Sequence, residues 1–126
     1  MRLLLFGASI KFEDLNNTTR IVLRFQVLLM RYLVVNGLMS GTGIKDPHSE
    51  IDPSPQELGL SSHVISLIEQ WLKRYADAMM DGYKNKKENE RLDQEGIEIA
   101  RAVRSELLET KVEYYSDVLS KRILLD

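Results

Sequence analysis

The longest apolar stretch of this chain runs from Ile21 to Met39, broken by Arg24, Gln26, Arg31 and Asn36. A bilayer span needs about 20 apolar residues without such breaks. The stretch therefore predicts a buried helix rather than a transmembrane one. Asn16, Asn17, Thr18 and Thr19 offer N-cap oxygens before it, and Asn36-Gly37 offers a left-handed stop. Arg20, Arg24 and Arg31 fall within about 40° of one another on a helical wheel. The expectation is a central helix over residues 19–38, buried on most of its girth, with one narrow arginine stripe.

The elements around it are shorter. Residues 2–7 form a brief apolar run that reads as a buried strand, and Ile10 to Leu15 read as a connection. Residues 37–60 hold all three prolines and most of the glycines, which marks a long irregular loop. A second helix opens at Ser61 or Ser62. It carries Val64, Leu67, Ile68, Trp71, Leu72, Tyr75 and Met79 at helical spacing, and Gly82 ends it. Lys84 to Glu90 contain no apolar residue and read as a solvated link. A third helix starts near Asp93, with Ile97, Ala100, Val103 and Leu107 as its apolar stripe. Lys111 to Tyr115 alternate like a strand, with Val112 and Tyr114 on one face. Val118 to Leu125 read as a docked tail, either a short helix or an edge strand. The fold expected is a single helix-rich α/β (α+β) domain over residues 1–126. Three main helices pack together in it, and the strands at 2–7 and 111–115 pair in a small sheet.

Totals exclude several functions. The net charge of −2 does not give the basic footprint of a general nucleic-acid binder. With no cysteine, the chain has no disulfide scaffold, thiolate zinc site or cysteine nucleophile. The N-terminal run Met1 to Phe6 stops at Gly7, too short for a secretory core, so a cytoplasmic protein is expected. Gly37, Gly41 and Gly43 fail as a phosphate loop, because Ile44 separates Gly43 from Lys45 and Asp46 follows. Only His48 and His63 are available for histidine chemistry, and no catalytic constellation assembles from spacing. No enzyme, cofactor or metal is expected.

Two polar features are left. Asp46, His48, Glu50 and Asp52 alternate at two-residue spacing, which in an extended segment turns all four the same way. Carboxylates and imidazole can hold a divalent metal. Pro47 and Pro53 break the extended backbone, however, so the reading taken is a solvated acidic loop or an acidic face for a basic partner. The arginine stripe can meet phosphates or acidic groups, or pair with neighbouring carboxylates at a solvent edge.

The stretch Phe25-Gln-Val-Leu-Leu-Met-Arg-Tyr-Leu-Val-Val-Asn-Gly-Leu38, the long loop, and then Leu58-Gly-Leu-Ser with Trp71-Leu-Lys-Arg-Tyr75 resemble small bacterial immunity proteins. Leu92 to Ala100 and Val112 to Tyr115 share that character. Such proteins are encoded beside polymorphic toxins, including those of contact-dependent growth inhibition. The resemblance implies a cytoplasmic protein that binds one cognate toxin domain, often a nuclease, and neutralises it without chemistry of its own. Acidic residues would pair with the toxin's basic groups. The candidates are Asp46, Glu50, Asp52 and Glu57 on the loop and Asp77 and Asp81 near the end of the second helix, with Tyr83 or Tyr115 as an aromatic anchor. The alternative is a small phage or mobile-element regulator that holds nucleic acid on Arg20, Arg24 and Arg31.

Overall fold

The computed structural model describes residues 2–5, 8–22, 31–38 and 40–125, and divides into two compact units, Met1–Met30 and Arg31–Asp126. In the first unit, strands β1 (Arg2–Leu5) and β2 (Ala8–Lys11) pair antiparallel, with Leu3 opposite Ile10. A 3₁₀ turn, Phe12–Asp14, follows, and residues 17–22 are helical (α1). Asn16 caps this helix: its side-chain oxygen accepts from Thr19 N at 2.8 Å. The segment 10–15, read as a connection, thus contains the end of a strand and the 3₁₀ turn.

The second unit is a four-stranded sheet with two long helices on one face. Its strands are β3 (Arg31–Asn36), β4 (Ile44–Lys45), β5 (Thr110–Ser116) and β6 (Lys121–Ile123), in spatial order β4-β3-β5-β6. β3 and β5 run parallel, and the outer strands pair antiparallel to them. Parallel neighbours need a crossover, and helices α2 (Ser62–Met80) and α3 (Lys86–Glu106) supply it. The expected pairing of strand 2–7 with strand 111–115 is not formed: β1 pairs with β2, and β5 pairs with β3 and β6.

The largest departure from expectation is the helix over 19–38. Only residues 17–22 of that region are helical among those described, residues 23–30 lie outside the description, and Arg31–Asn36 form a strand. Leu33, Val34, Val35 and Asn36 are all buried. A strand between two others with both faces covered loses its alternation and reads as a continuous apolar run, like a buried helix. Tyr32, Val34 and Val35 are residue types that favour strands.

Leu33 and Val35 of β3, Ile44 of β4, and Val112 and Tyr114 of β5 face the helices. From α2 they meet Val64, Ile68, Trp71 and Tyr75, and from α3 Leu92, Ile99, Ala100 and Val103. Trp71 packs edge-on to Tyr75, and its indole N–H donates to the Leu92 carbonyl at 2.9 Å. α3 begins at Lys86, seven residues before the expected Asp93. Asn85 caps it, accepting from Glu88 N at 3.1 Å, and Asn89 turns inward to donate to the Tyr83 carbonyl at 2.7 Å. A polar run therefore forms the first helical turn, and the buried stripe is Asn89, Leu92, Gly96, Ile99, Ala100 and Val103; of the expected stripe, Ala100 and Val103 are buried and Ile97 and Leu107 lie at its margin. The 37–60 segment is pinned rather than loose. Ile44 and Leu60 join the core, and Thr42 Oγ1 lies 2.8 Å from the Pro53 carbonyl. The tail forms β6, as the edge-strand reading expected.

Candidate partner-binding site

Alternation along β3 and β5 turns Tyr32, Val34 and Asn36, and Lys111, Glu113 and Tyr115, away from the helices. Lys45 of β4 and Arg122 of β6 join them, opposite Val34 and Tyr115 respectively. Glu113 sits at the centre of this face, only 9% exposed. The Tyr32 hydroxyl donates to its Oε2 at 2.8 Å. Lys111 Nζ approaches Oε1 at 3.4 Å, and Arg122 Nη1 approaches Oε2 at 3.6 Å. Both cations also stand over the Tyr32 ring, 5.7 and 5.6 Å from its centre. Burial raises the Glu113 pKa. The hydrogen bonds from Tyr32 and Lys111 and the charges of Lys111 and Arg122 outweigh it, and hold the carboxyl below its ordinary range.

Where this face meets the loop after β4, a groove of about 600 Å³ opens. Val34, Asn36 and Tyr115 line it with Lys45 and Arg122, and four carboxylates, Asp46, Glu50, Asp52 and Asp117, surround them. Local turns set the loop acids. Asp46 Oδ1 accepts from His48 N at 3.0 Å, while Asp52 Oδ1 lies 3.3 Å from Asp46 N. Two of the acids are thus engaged with backbone, and the His48 ring stacks obliquely on Tyr32 at 6.1 Å. The extended comb of Asp46, His48, Glu50 and Asp52 is not formed, and no group of three possible metal ligands gathers among the described residues.

A second, smaller cleft of about 280 Å³ lies where α2 turns into α3, lined by Asp77, Asp81, Tyr83, Lys84 and Glu88 among others. Gly82 and Tyr83 both adopt left-handed backbone there, with φ of 73° and 56°. The Tyr83 ring packs edge-on to Tyr75, and its hydroxyl donates to Asp117 Oδ2. Burial and that carboxylate push the Tyr83 hydroxyl pKa upward. The Asp117 backbone N–H donates to the Tyr75 hydroxyl at 2.9 Å, so tyrosines of the helical layer fix the end of β5.

The structure therefore divides the sequence candidates. Asp46, Glu50 and Asp52 meet in the groove, while Asp77, Asp81 and Tyr83 line the cleft. Glu57 is exposed on the turn at 55–59 and lines neither. Tyr83 is half-buried and tied to Asp117, not an open anchor; Tyr115 lines the groove. The arginine stripe is not formed as expected. Arg20 lies on α1, Arg31 on β3 paired with Asp46 at 3.7 Å, and Arg24 lies outside the described residues. Sequence reasoning missed Asp117, Arg122 and the Glu113 cluster. The alternation of Lys111, Glu113 and Tyr115 carried the signal for part of it.

No helix among the described residues is long and apolar enough to cross a membrane. Comparison with curated proteins and with solved structures found no match in either case. A family model described as Serratia CdiI immunity protein-like matches residues 40–117, a span from the groove loop through both helices to Asp117. The chain belongs to the Serratia CdiI immunity protein-like family.

Proposed function

We propose that this chain protects the cell that makes it by binding one cognate toxin domain in the cytoplasm. It acts through contact rather than catalysis. The family match carries this reading, because the matched span takes in the loop acids, both helices and β5. The groove adds chemical support: its four carboxylates against two cations give it the sign to meet a basic side chain of the toxin. Asp46, Glu50 and Asp52 are the loop residues assigned to that contact, with Tyr115 as the aromatic neighbour. Asp77 and Asp81, in the separate cleft, are assigned a secondary part at most.

The test pairs the purified chain with an inactivated copy of its toxin, the C-terminal domain of the large secreted protein encoded beside it. The expected result is a one-to-one complex by titration calorimetry, and survival of cells that express the active toxin together with this chain. No complex and no protection would overturn the reading.

A further inference from the structure

The face of the sheet turned away from the helices carries two charge signs in fixed places. Glu113 is buried, yet Lys111 and Arg122, the cations paired to it, keep 64% and 58% of their side chains exposed. Glu113 and the Tyr32 ring thus hold the inner side of each cation and leave its outer N–H groups to solvent. Two cations on one carboxylate leave a net positive spot there. A long side chain already pinned gives up less rotamer freedom when a partner meets it. Arg122 also lines the groove, so the positive spot adjoins Asp46, Glu50, Asp52 and Asp117 without a gap.

Resting on the toxin-binding reading, we infer that this sheet face is the docking surface, and that its occupant is a toxin surface of matched two-signed charge. An acidic side chain of the toxin meets the Lys111–Arg122 pair, and a neighbouring basic side chain enters the groove. A wholly basic toxin surface fits poorly, because Lys111 and Arg122 would repel it at the centre of the contact. The net charge of −2 agrees, since a chain built to hold a uniformly basic surface would carry more acid.

The sign of the effect at Lys111 and Arg122 decides. Lys111→Gln and Arg122→Gln are compared with wild type for binding to the inactivated toxin domain, with the melting temperature of each recorded. Glu50→Gln tests the groove, and Lys73→Gln, at an exposed position of α2 outside both the groove and the cleft, serves as control. The expected result is binding about tenfold weaker for Lys111→Gln, Arg122→Gln and Glu50→Gln, a factor equivalent to about 1.4 kcal/mol, and unchanged for Lys73→Gln. Equal or tighter binding by both Lys111→Gln and Arg122→Gln, with wild type still binding, would overturn the two-signed surface and leave the toxin-binding reading intact. Failure of wild type to bind would overturn both.

Discussion

Gly96 and Glu113 show how far single positions constrain this fold. Gly96 lies mid-helix in α3, where alanine would ordinarily stabilise by up to about 1 kcal/mol. Here a Cβ would fall 2.2 Å from Tyr114 Cε1 and 2.5 Å from Cζ. That ring is fully buried, and its hydroxyl is bound to Asp93 at 2.7 Å, so it has nowhere to move. The clash outweighs propensity. Gly96→Ala should lose about 1–3 kcal/mol, measured by urea denaturation; a stabilised variant would show the ring to be free. From sequence, Gly96 was an unremarked residue in a helix, because the reason for it sits 18 positions away. Glu113 gives a pH signature. Its folded pKa lies below the ordinary 4.5, so the unfolded chain takes up the proton more readily. The stabilisation is complete above the unfolded value and is lost as pH falls through the folded one. Glu113→Gln should lower stability by about 1–3 kcal/mol at neutral pH. The gap from wild type should shrink once the medium is more acidic than the folded pKa. A gap independent of pH would mean that the carboxylate charge contributes nothing.

At the scale of elements, α2 was the most readable. Ser61 caps it as expected, accepting from Val64 N at 3.2 Å, and the apolar spacing from Val64 to Tyr75 marks its buried face. Local rules suffice there, because cap, periodicity and stop all lie within 20 residues or so. They fail for β3, where burial on both faces erases the alternation, and for the first turn of α3. The last polar residues there are helical because Asn85 caps them and Asn89 finds the Tyr83 carbonyl. The order of the sheet was out of reach for a related reason: β3 pairs with β5 across about 75 residues, and no local spacing encodes that partner. One cross-link between elements was equally hidden. The Glu106 carboxylate, at the end of α3, accepts from both Ser61 N and Ser61 Oγ at 2.7 Å, so the start of one helix is tied to the end of the other. These hydrogen bonds hold Glu106 below its ordinary pKa. Ser61→Ala should lose about 1 kcal/mol, as N-cap removal does. Glu106→Gln should lose less, and the double variant should lose less than the sum of the two, because both act through one contact. Additive losses in a denaturation series would mean that the carboxylate and the cap act separately.

For the whole molecule, the sequence suggested one domain over 1–126, and the structure places residues 1–30 and 31–126 in separate compact units. The buried core among the described residues runs from Leu33 to Tyr114, wholly within the second. The groove, the cleft and the Glu113 cluster lie there too. A unit of this size is able to bury a core of its own. The single tryptophan, Trp71, is 1% exposed at the centre of that core, so its fluorescence reports the second unit alone. A chain of residues 31–126 should therefore keep the buried Trp71 emission and unfold in one cooperative urea transition. Its midpoint should stay close to that of the full chain, with a slope reduced only in proportion to the smaller surface exposed. It should also keep the toxin affinity of the full chain, since every residue assigned to the contact is in it. A red-shifted Trp71 emission in the shorter chain would show that residues 1–30 complete the core, as one domain over 1–126 requires. Native emission with lost toxin binding would instead move part of the contact into the first unit.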